Sequence, residues 1–275
     1  MGDRAGAGYP LGSDEDELAR LDMQGRALAP GTRAIFAAAG IRPGMRVLDL
    51  GCGAGDVALV AADMVGPEGY VVGVDQSAQA VARARLRAGR HGLAQVRFVE
   101  GDIRDPAPGG PFDVIVERLA LMYVPDPAEV LRRQATGLRA GGLVVPIEFD
   151  FATARVLPAT PLASQAVSWL IEAFPKSGIH SLGPRLWSVL LQAGLQPLGM
   201  MGLQPHFGPG DPDSAGLLAG ILRTAVPVME RTGVATAEEI GVETLAQRLA
   251  DELQMNAAVF AYPILLSAWA TTSPL

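Results

Sequence analysis

Four aspartates gather around one glycine-rich turn, VLDLGCGAGD at residues 47–56, and its continuation. Gly51, Gly53 and Gly55 allow the backbone to lie against a nucleotide, and the charges nearby decide which nucleotide fits. A dinucleotide fold asks for G-x-G-x-x-G, yet the third glycine is replaced by Asp56. A carboxylate there already occupies the positive end of the following helix and repels a pyrophosphate. Asp75 follows about twenty residues after the glycines, where a carboxylate can accept both ribose hydroxyls, a feature NAD would share. Asp102 adds an acceptor for an adenine amino group, and Ile103 beside it can pack on the ring. Asp49, inside the turn, either braces the loop or faces a cationic cofactor. The ligand implied is an adenosine without phosphate, with positive charge welcome; Asp56 disfavours a nicotinamide dehydrogenase.

Such residues need a scaffold that brings strand ends together. Short apolar runs at 46–50, 70–75, 96–102, 112–117 and 142–151 alternate with helical stretches near 55–65, 77–91 and 127–139. That alternation predicts βαβ units and a parallel sheet covered by helices, with ligands beyond the carboxyl ends of the strands. Before it, residues 1–13 are expected to be mobile, and leucines 18, 21 and 28 at helical spacing behind Asp14, Glu15 and Asp16 predict an amphipathic helix over 14–29. After it the chain turns more helical, with helices expected at 161–174, 182–194, 212–231 and 237–254, the last opened by a Thr236/Glu239 capping box. A strand is expected near 197–206, and the run 260–272 returns as a final strand with Pro263 at its start or edge. The layout is an N-terminal segment and cap helix (1–30), a cofactor-binding core (31–151), and helical cap insertions with final strands completing the same domain (152–275).

In this order and spacing, VLDLGCGAGD, VVGVDQS, VEGDI and FDVIVERLALMYVPDP resemble the class I S-adenosylmethionine-dependent methyltransferases, over residues 42–150 and in layout beyond. The resemblance implies an α/β, Rossmann-like, doubly wound sheet of seven strands, mostly parallel with the last antiparallel, plus a helical cap. It implies S-adenosyl-L-methionine as cofactor, held by the glycine turn, Asp75 with Gln76, Asp102 with Ile103, and Glu117 after strand four, whose backbone would meet the cofactor's amino end. Many relatives carry His where this chain has Tyr123, which puts any role of that position in question. Gln24 on the first helix either reaches the methionine carboxylate or faces solvent.

Methyl transfer from a sulfonium is an in-line displacement, so positioning supplies much of the acceleration, and a base is needed only where the acceptor must lose a proton. His180 is the preferred base, and Glu148 and Asp150, alternating at the end of strand five, are expected to present one face to the acceptor or to be solvated strand ends. Arg118 either pairs with an acidic acceptor or with a carboxylate of the chain. Met122, Tyr123 and Trp169 are expected to line the acceptor pocket, with Phe174, Leu217, Leu218, Ile221, Leu222 and Met229 mostly core. His91 and His206 carry less. Cys52, between glycines, reads as a small packed residue, and one cysteine excludes an intrachain disulfide or multi-cysteine zinc site. The arginines of RARLRAGRH (83–91) read as a solvated face.

With 49% apolar and 19% charged residues and a net charge of −7, the composition predicts a soluble chain and argues against a nucleic acid partner. No apolar run suits a membrane span, and the acidic N-terminus lacks the apolar stretch of an export signal, so a cytoplasmic monomer or homodimer is expected. The function expected is methylation of a small, largely apolar metabolite of secondary metabolism, at oxygen before carbon or nitrogen. The alternatives are a cyclase or decarboxylase that binds the same cofactor without methylating, and a noncatalytic cofactor-binding interaction module.

Overall fold

The computed structural model describes residues 15–272; the expectations for residues 1–13 and for Asp14 lie outside it, as do the side chains of Glu15, Asp16 and Leu18. In chain order the elements open with α1 (Glu15–Ala39), β1 (Arg46–Leu50), α2 (Asp56–Val65), β2 (Tyr70–Asp75), α3 (Ala78–Arg90), β3 (Val96–Glu100) and β4 (Phe112–Arg118). There follow α4 (Pro127–Ala135), β5 (Leu138–Asp150), β6 (Arg155–Leu157), α5 (Pro161–Lys176), α6 (Leu186–Gln192), β7 (Gln196–Leu203) and β8 (His206–Phe207). The chain closes with α7 (Pro212–Arg231), α8 (Ala237–Ile240), α9 (Leu245–Met255), β9 (Val259–Ala261) and β10 (Ile264–Thr271). These form two compact units, one of residues 25–150, 181–204 and 264–272, the other of residues 15–24, 151–180 and 205–263.

The first unit is built on a seven-stranded sheet in the order β3-β2-β1-β4-β5-β10-β7. β1 pairs in parallel with β2 and β4, and β10 runs antiparallel to both β5 and β7. Interior strands of such a sheet are covered on both faces and read as unbroken apolar runs, as Val114, Ile115 and Val116 of β4 do. On α1, Leu28, Thr32, Ile35, Phe36 and Ala39 recur at helical spacing and are all buried, which carries the helix past the expected end at residue 29 and through Pro30. The second unit gathers α5, α7 and α9 with a small antiparallel sheet in the order β6-β9-β8.

Several boundaries differ from the sequence expectation. β3 ends at Glu100 and not 102, and β5 begins at Leu138, four residues early. The helix expected at 182–194 is a 3-10 turn, Gly183–Arg185, followed by α6. Gly241, with φ 63°, breaks the helix expected at 237–254 into α8, a 3-10 turn and α9, although the Thr236/Glu239 capping box forms. The strand near 197–206 is two, β7 and β8. The 260–272 run also divides, because Pro263 offers no ladder donor: β9 before it joins the small sheet and β10 after it joins the large one. Among the described residues no helix is long and apolar enough to cross a membrane.

Candidate functional site

The glycine turn follows β1 directly. The Gly51 and Cys52 amides donate to the Val74 carbonyl at 2.8 and 3.0 Å, so the turn is tied to the end of β2. Gly51, Gly53 and Gly55 all have positive φ, at 67°, 50° and 90°, but their surroundings differ. A Cβ on Gly51 would stand 2.4 Å from that of Ala120, and one on Gly55 2.9 Å from the Phe98 ring. At Gly53 nothing lies within 4 Å: this is the position that borders open space. Cys52 is buried, and burial, helped by the charges of Asp49 and Asp75, pushes its thiol well above the ordinary range, as suits a packed residue.

Asp75 braces the turn while retaining acceptor capacity. Its Oδ2 accepts the Gly53 N–H at 2.9 Å and its Oδ1 the Ser77 N–H at 2.8 Å, and each carboxylate oxygen has a further lone pair. Gln76 beside it is exposed. Asp102 is half-buried and gripped by Arg104, whose Nε donates at 3.0 and 2.9 Å to its two oxygens. Ile103 packs against the apolar core, and Gln134 holds its carbonyl at 2.6 Å. Asp49 is fully buried, and its oxygens make no hydrogen bond of regular geometry, the Ala58 amide of α2 being the backbone donor that acts on it. Burial holds its carboxyl well above the usual carboxylate range, against the pull of the Arg118 guanidinium.

Asp56 opens α2, where its negative charge meets the helix dipole. Arg87 of α3 pairs with it at 2.7 Å and also donates to the Ala54 carbonyl of the glycine turn at 2.7 Å. Above it passes α1, so closely that a Cβ on Gly25 would stand 2.4 Å from the Asp56 carboxyl carbon. Arg85 donates to the Phe98 carbonyl at 2.8 Å. The basic stretch is therefore not merely a solvated face: two of its arginines are tie-bars. The signal was available, since Arg85 and Arg87 flank the stripe Val81, Ala84, Ala88 that α3 buries.

Beyond β4 the chain turns sharply, with Leu119 at φ 61°. Glu117 is fully buried and its Oε1 accepts the Ala120 and Leu121 amides; Glu148, also fully buried, accepts the Met122 amide at 3.0 Å. Glu148, expected at the acceptor's mouth, is instead closed in, because β5 is an interior strand; Asp150, two residues on, is half-buried. Arg118 donates to the Thr32 hydroxyl of α1 at 2.8 Å. Met122 and Tyr123 lie half-buried on the 3-10 turn Leu121–Tyr123, Met122 against the core.

The remaining candidates belong to the other unit. Gln24 is buried, which overturns its solvent-facing reading, and its Oε1 accepts from Arg20. Trp169 is half-buried on α5, while Phe174, Leu217, Leu218, Leu222 and Met229 are buried core and Ile221 is half-buried. His180 and His206 are exposed, as is His91 at the end of α3.

A doubly wound sheet with its last strand antiparallel, a glycine turn after β1 and carboxylates at the ends of β2 and just past β3 defines a protein class that holds an adenosine cofactor. Residues 41–174 match the sequence model of a family described as a methyltransferase domain, which supports the likeness to the class I S-adenosylmethionine-dependent methyltransferases. A nocamycin O-methyltransferase of Saccharothrix syringae is 34% identical over 166 residues, 58% of this chain and 56% of that protein. The chain thus spans little more than half the length of this curated relative. A SAM-dependent methyltransferase from Aquifex aeolicus shares the fold with a TM-score of 0.50 and 20% identity, over 62% of this chain and 82% of that one. The [4+2]-cyclase SpnF shares it with a TM-score of 0.53 and 21% identity, over 87% of this chain and 80% of the other.

Proposed function

We propose that the protein transfers a methyl group from S-adenosylmethionine to a small, largely apolar metabolite, at oxygen before carbon or nitrogen. The observation that carries this is Asp49, a fully buried carboxylate near the end of β1, whose charge the Arg118 guanidinium and the Ala58 amide offset less than burial penalises it. A buried carboxylate so incompletely compensated favours a further cation, and the proposed cofactor carries a sulfonium and an ammonium. Gly53 leaves backbone open to approach, and Asp75 keeps lone pairs for two hydroxyls. Asp102 would take the adenine amino group with Arg104 holding it in place, and Gln76, Ile103 and the Glu117 backbone would border the same ligand. Asp56, neutralised by Arg87, leaves the α2 N-terminus without a place for phosphate.

When bound, the cofactor supplies an electrophilic methyl group on sulfur. The chain's part is to orient an acceptor in line with that bond and to exclude water. Met122, Tyr123 and Trp169 are the apolar surfaces proposed to receive the acceptor, and Arg118, held by Thr32, a cation for an acidic one. His180, whose imidazole is exposed, is the proposed base for an acceptor hydroxyl, with Asp150 as a second candidate and Gln24 as a partner for the cofactor's carboxylate. The O-methyltransferase name of the Saccharothrix relative supports oxygen and a natural-product acceptor. The proposal retains from the sequence a cytoplasmic monomer or homodimer.

The likeness to a [4+2]-cyclase favours one second reading, a cofactor-binding cyclase, because one fold hosts different reactions. Product mass separates them. Incubation with methyl-labelled S-adenosylmethionine and a panel of phenolic and carboxylic polyketides is expected to give products heavier by one labelled methyl; an isomer without label contradicts the proposal.

A further inference from the structure

Glu117 lies one residue before the end of β4 and Glu148 on the neighbouring parallel strand β5, both closed off from solvent. Each spends one oxygen on the turn that follows β4: Glu117 Oε1 on the Ala120 and Leu121 amides, Glu148 Oε1 on that of Met122. The second oxygen of each, Oε2, finds no N–H or O–H of the protein. The register sets Glu117 opposite Pro146, so Glu148, two residues further along β5, falls on the same face of the sheet, and the two carboxyls act on one another. Two carboxylates in contact cannot both ionise in a dry interior, and neither can donate to the other without a proton.

We propose that Glu117 and Glu148 share one proton and act as a positioning pair that fixes the Ala120–Met122 turn, and so the presentation of Met122 and Tyr123, without either carboxyl touching cofactor or acceptor. The shared proton stands on burial and contact alone; its effect on the reaction rests on the methyltransferase reading. The turn is a consequential one to fix, because Ala120 packs where a side chain on Gly51 would fall. Leu119, in the left-handed region, gives its amide to the Ile147 carbonyl of β5 at 3.0 Å, so the turn is strained and needs holding.

The surroundings keep the proton on the pair. Burial pushes Glu117 up to about 7 against the pull of the Ala120 and Leu121 amides, and burial followed by the Glu117 charge pushes Glu148 well above the usual carboxylate range. From β1 the facing group is Asp49, itself opposed by Arg118. β10 places Leu266 opposite Glu148, and the 183–185 turn covers the Glu148 carbonyl with Gly183, whose Cβ would come within 2.8 Å of it, while Arg185 is exposed.

Infrared difference spectroscopy on the full chain tests the proton, and amide hydrogen exchange tests the positioning. At about pH 8, above the range of ordinary carboxyls, wild type is expected to show a protonated-carboxyl stretch that Glu148→Gln diminishes, leaving only the part that Asp49→Asn removes. The Ala120–Met122 amides are expected to exchange about tenfold faster in Glu117→Ala or Glu148→Ala and at the wild-type rate in Glu148→Gln, whose amide can donate to Glu117. Where the alanine variants do not fold, Glu117→Gln provides the reading: its stability is expected to lose the decline with rising pH that wild type shows through about 7. A protonated-carboxyl band that is absent or is undiminished in Glu148→Gln, unchanged exchange in the alanine variants, or an unchanged pH decline in Glu117→Gln overturns the proposal. Binding of S-adenosylhomocysteine is measured alongside: a protein with the band but no binding keeps the pair and loses the methyltransferase reading.

Discussion

Asp49 is held in a setting that disfavours its charge, and only a proton or a cation relieves it. Burial raises its carboxyl and so favours the protonated form, and a cation bound beside it favours the charged one. Binding of S-adenosylmethionine is therefore expected to release a proton, with affinity rising as pH rises toward the elevated value. Calorimetry in buffers of different ionisation enthalpy measures the release, and Asp49→Asn is expected to abolish it and weaken binding about tenfold. The glycines give a second test at the same scale. Gly53→Ala places a side chain in the open space at φ 50°, so it is expected to cost about 1–2 kcal/mol of stability and most of the affinity. Gly55→Ala presses on the Phe98 ring and is expected to lower the melting temperature further than Gly53→Ala does, which a thermal melt of the two variants compares.

Between elements, single side chains tie ends that the sequence separates widely. Glu252 of α9 accepts the Leu162 and Ala163 amides and the Thr160 hydroxyl, serving α5 as an N-terminal cap although Thr160 itself makes no such bond. Burial raises its carboxyl, but these three donors outweigh that and leave it below the usual value. A lowered carboxyl contributes stability above its unfolded value and loses it as pH falls through the folded one. Glu252→Gln is thus expected to cost about 1 kcal/mol near neutrality and much less in acid, read by urea melts at several pH values. Arg87 ties α3 to both the glycine turn and α2. Arg87→Met, which keeps much of the apolar stem, is expected to lower the melting temperature and weaken S-adenosylhomocysteine several-fold; unchanged binding would mean the turn holds its shape unaided.

Across the whole molecule, the large sheet was legible because parallel interior strands are unbroken apolar runs, and the glycine turn because positive φ and close approach both demand glycine. The small sheet was not legible: β6 has three residues and β8 two, too short for any period to register. Nor was the division at Pro263, where one apolar run feeds two sheets. Asp49, Asp75 and Asp102 were readable as single positions beside a turn. The partnership of Glu117 with Glu148 was not, since it arises only when β4 and β5 are laid side by side, and the burial of Glu148 was hidden for the same reason. Gly25 passing over Asp56 was hidden likewise, in a helix that continues through Pro30.

The central claim is that the glycine turn and its carboxylates hold S-adenosylmethionine. Titration of the full chain with S-adenosylhomocysteine in a calorimeter tests it most directly. Saturable one-to-one binding by wild type, lost or weakened at least about tenfold in Asp75→Ala, is the predicted result. Absence of binding by a folded wild type, or equal binding by the folded variant, would contradict it.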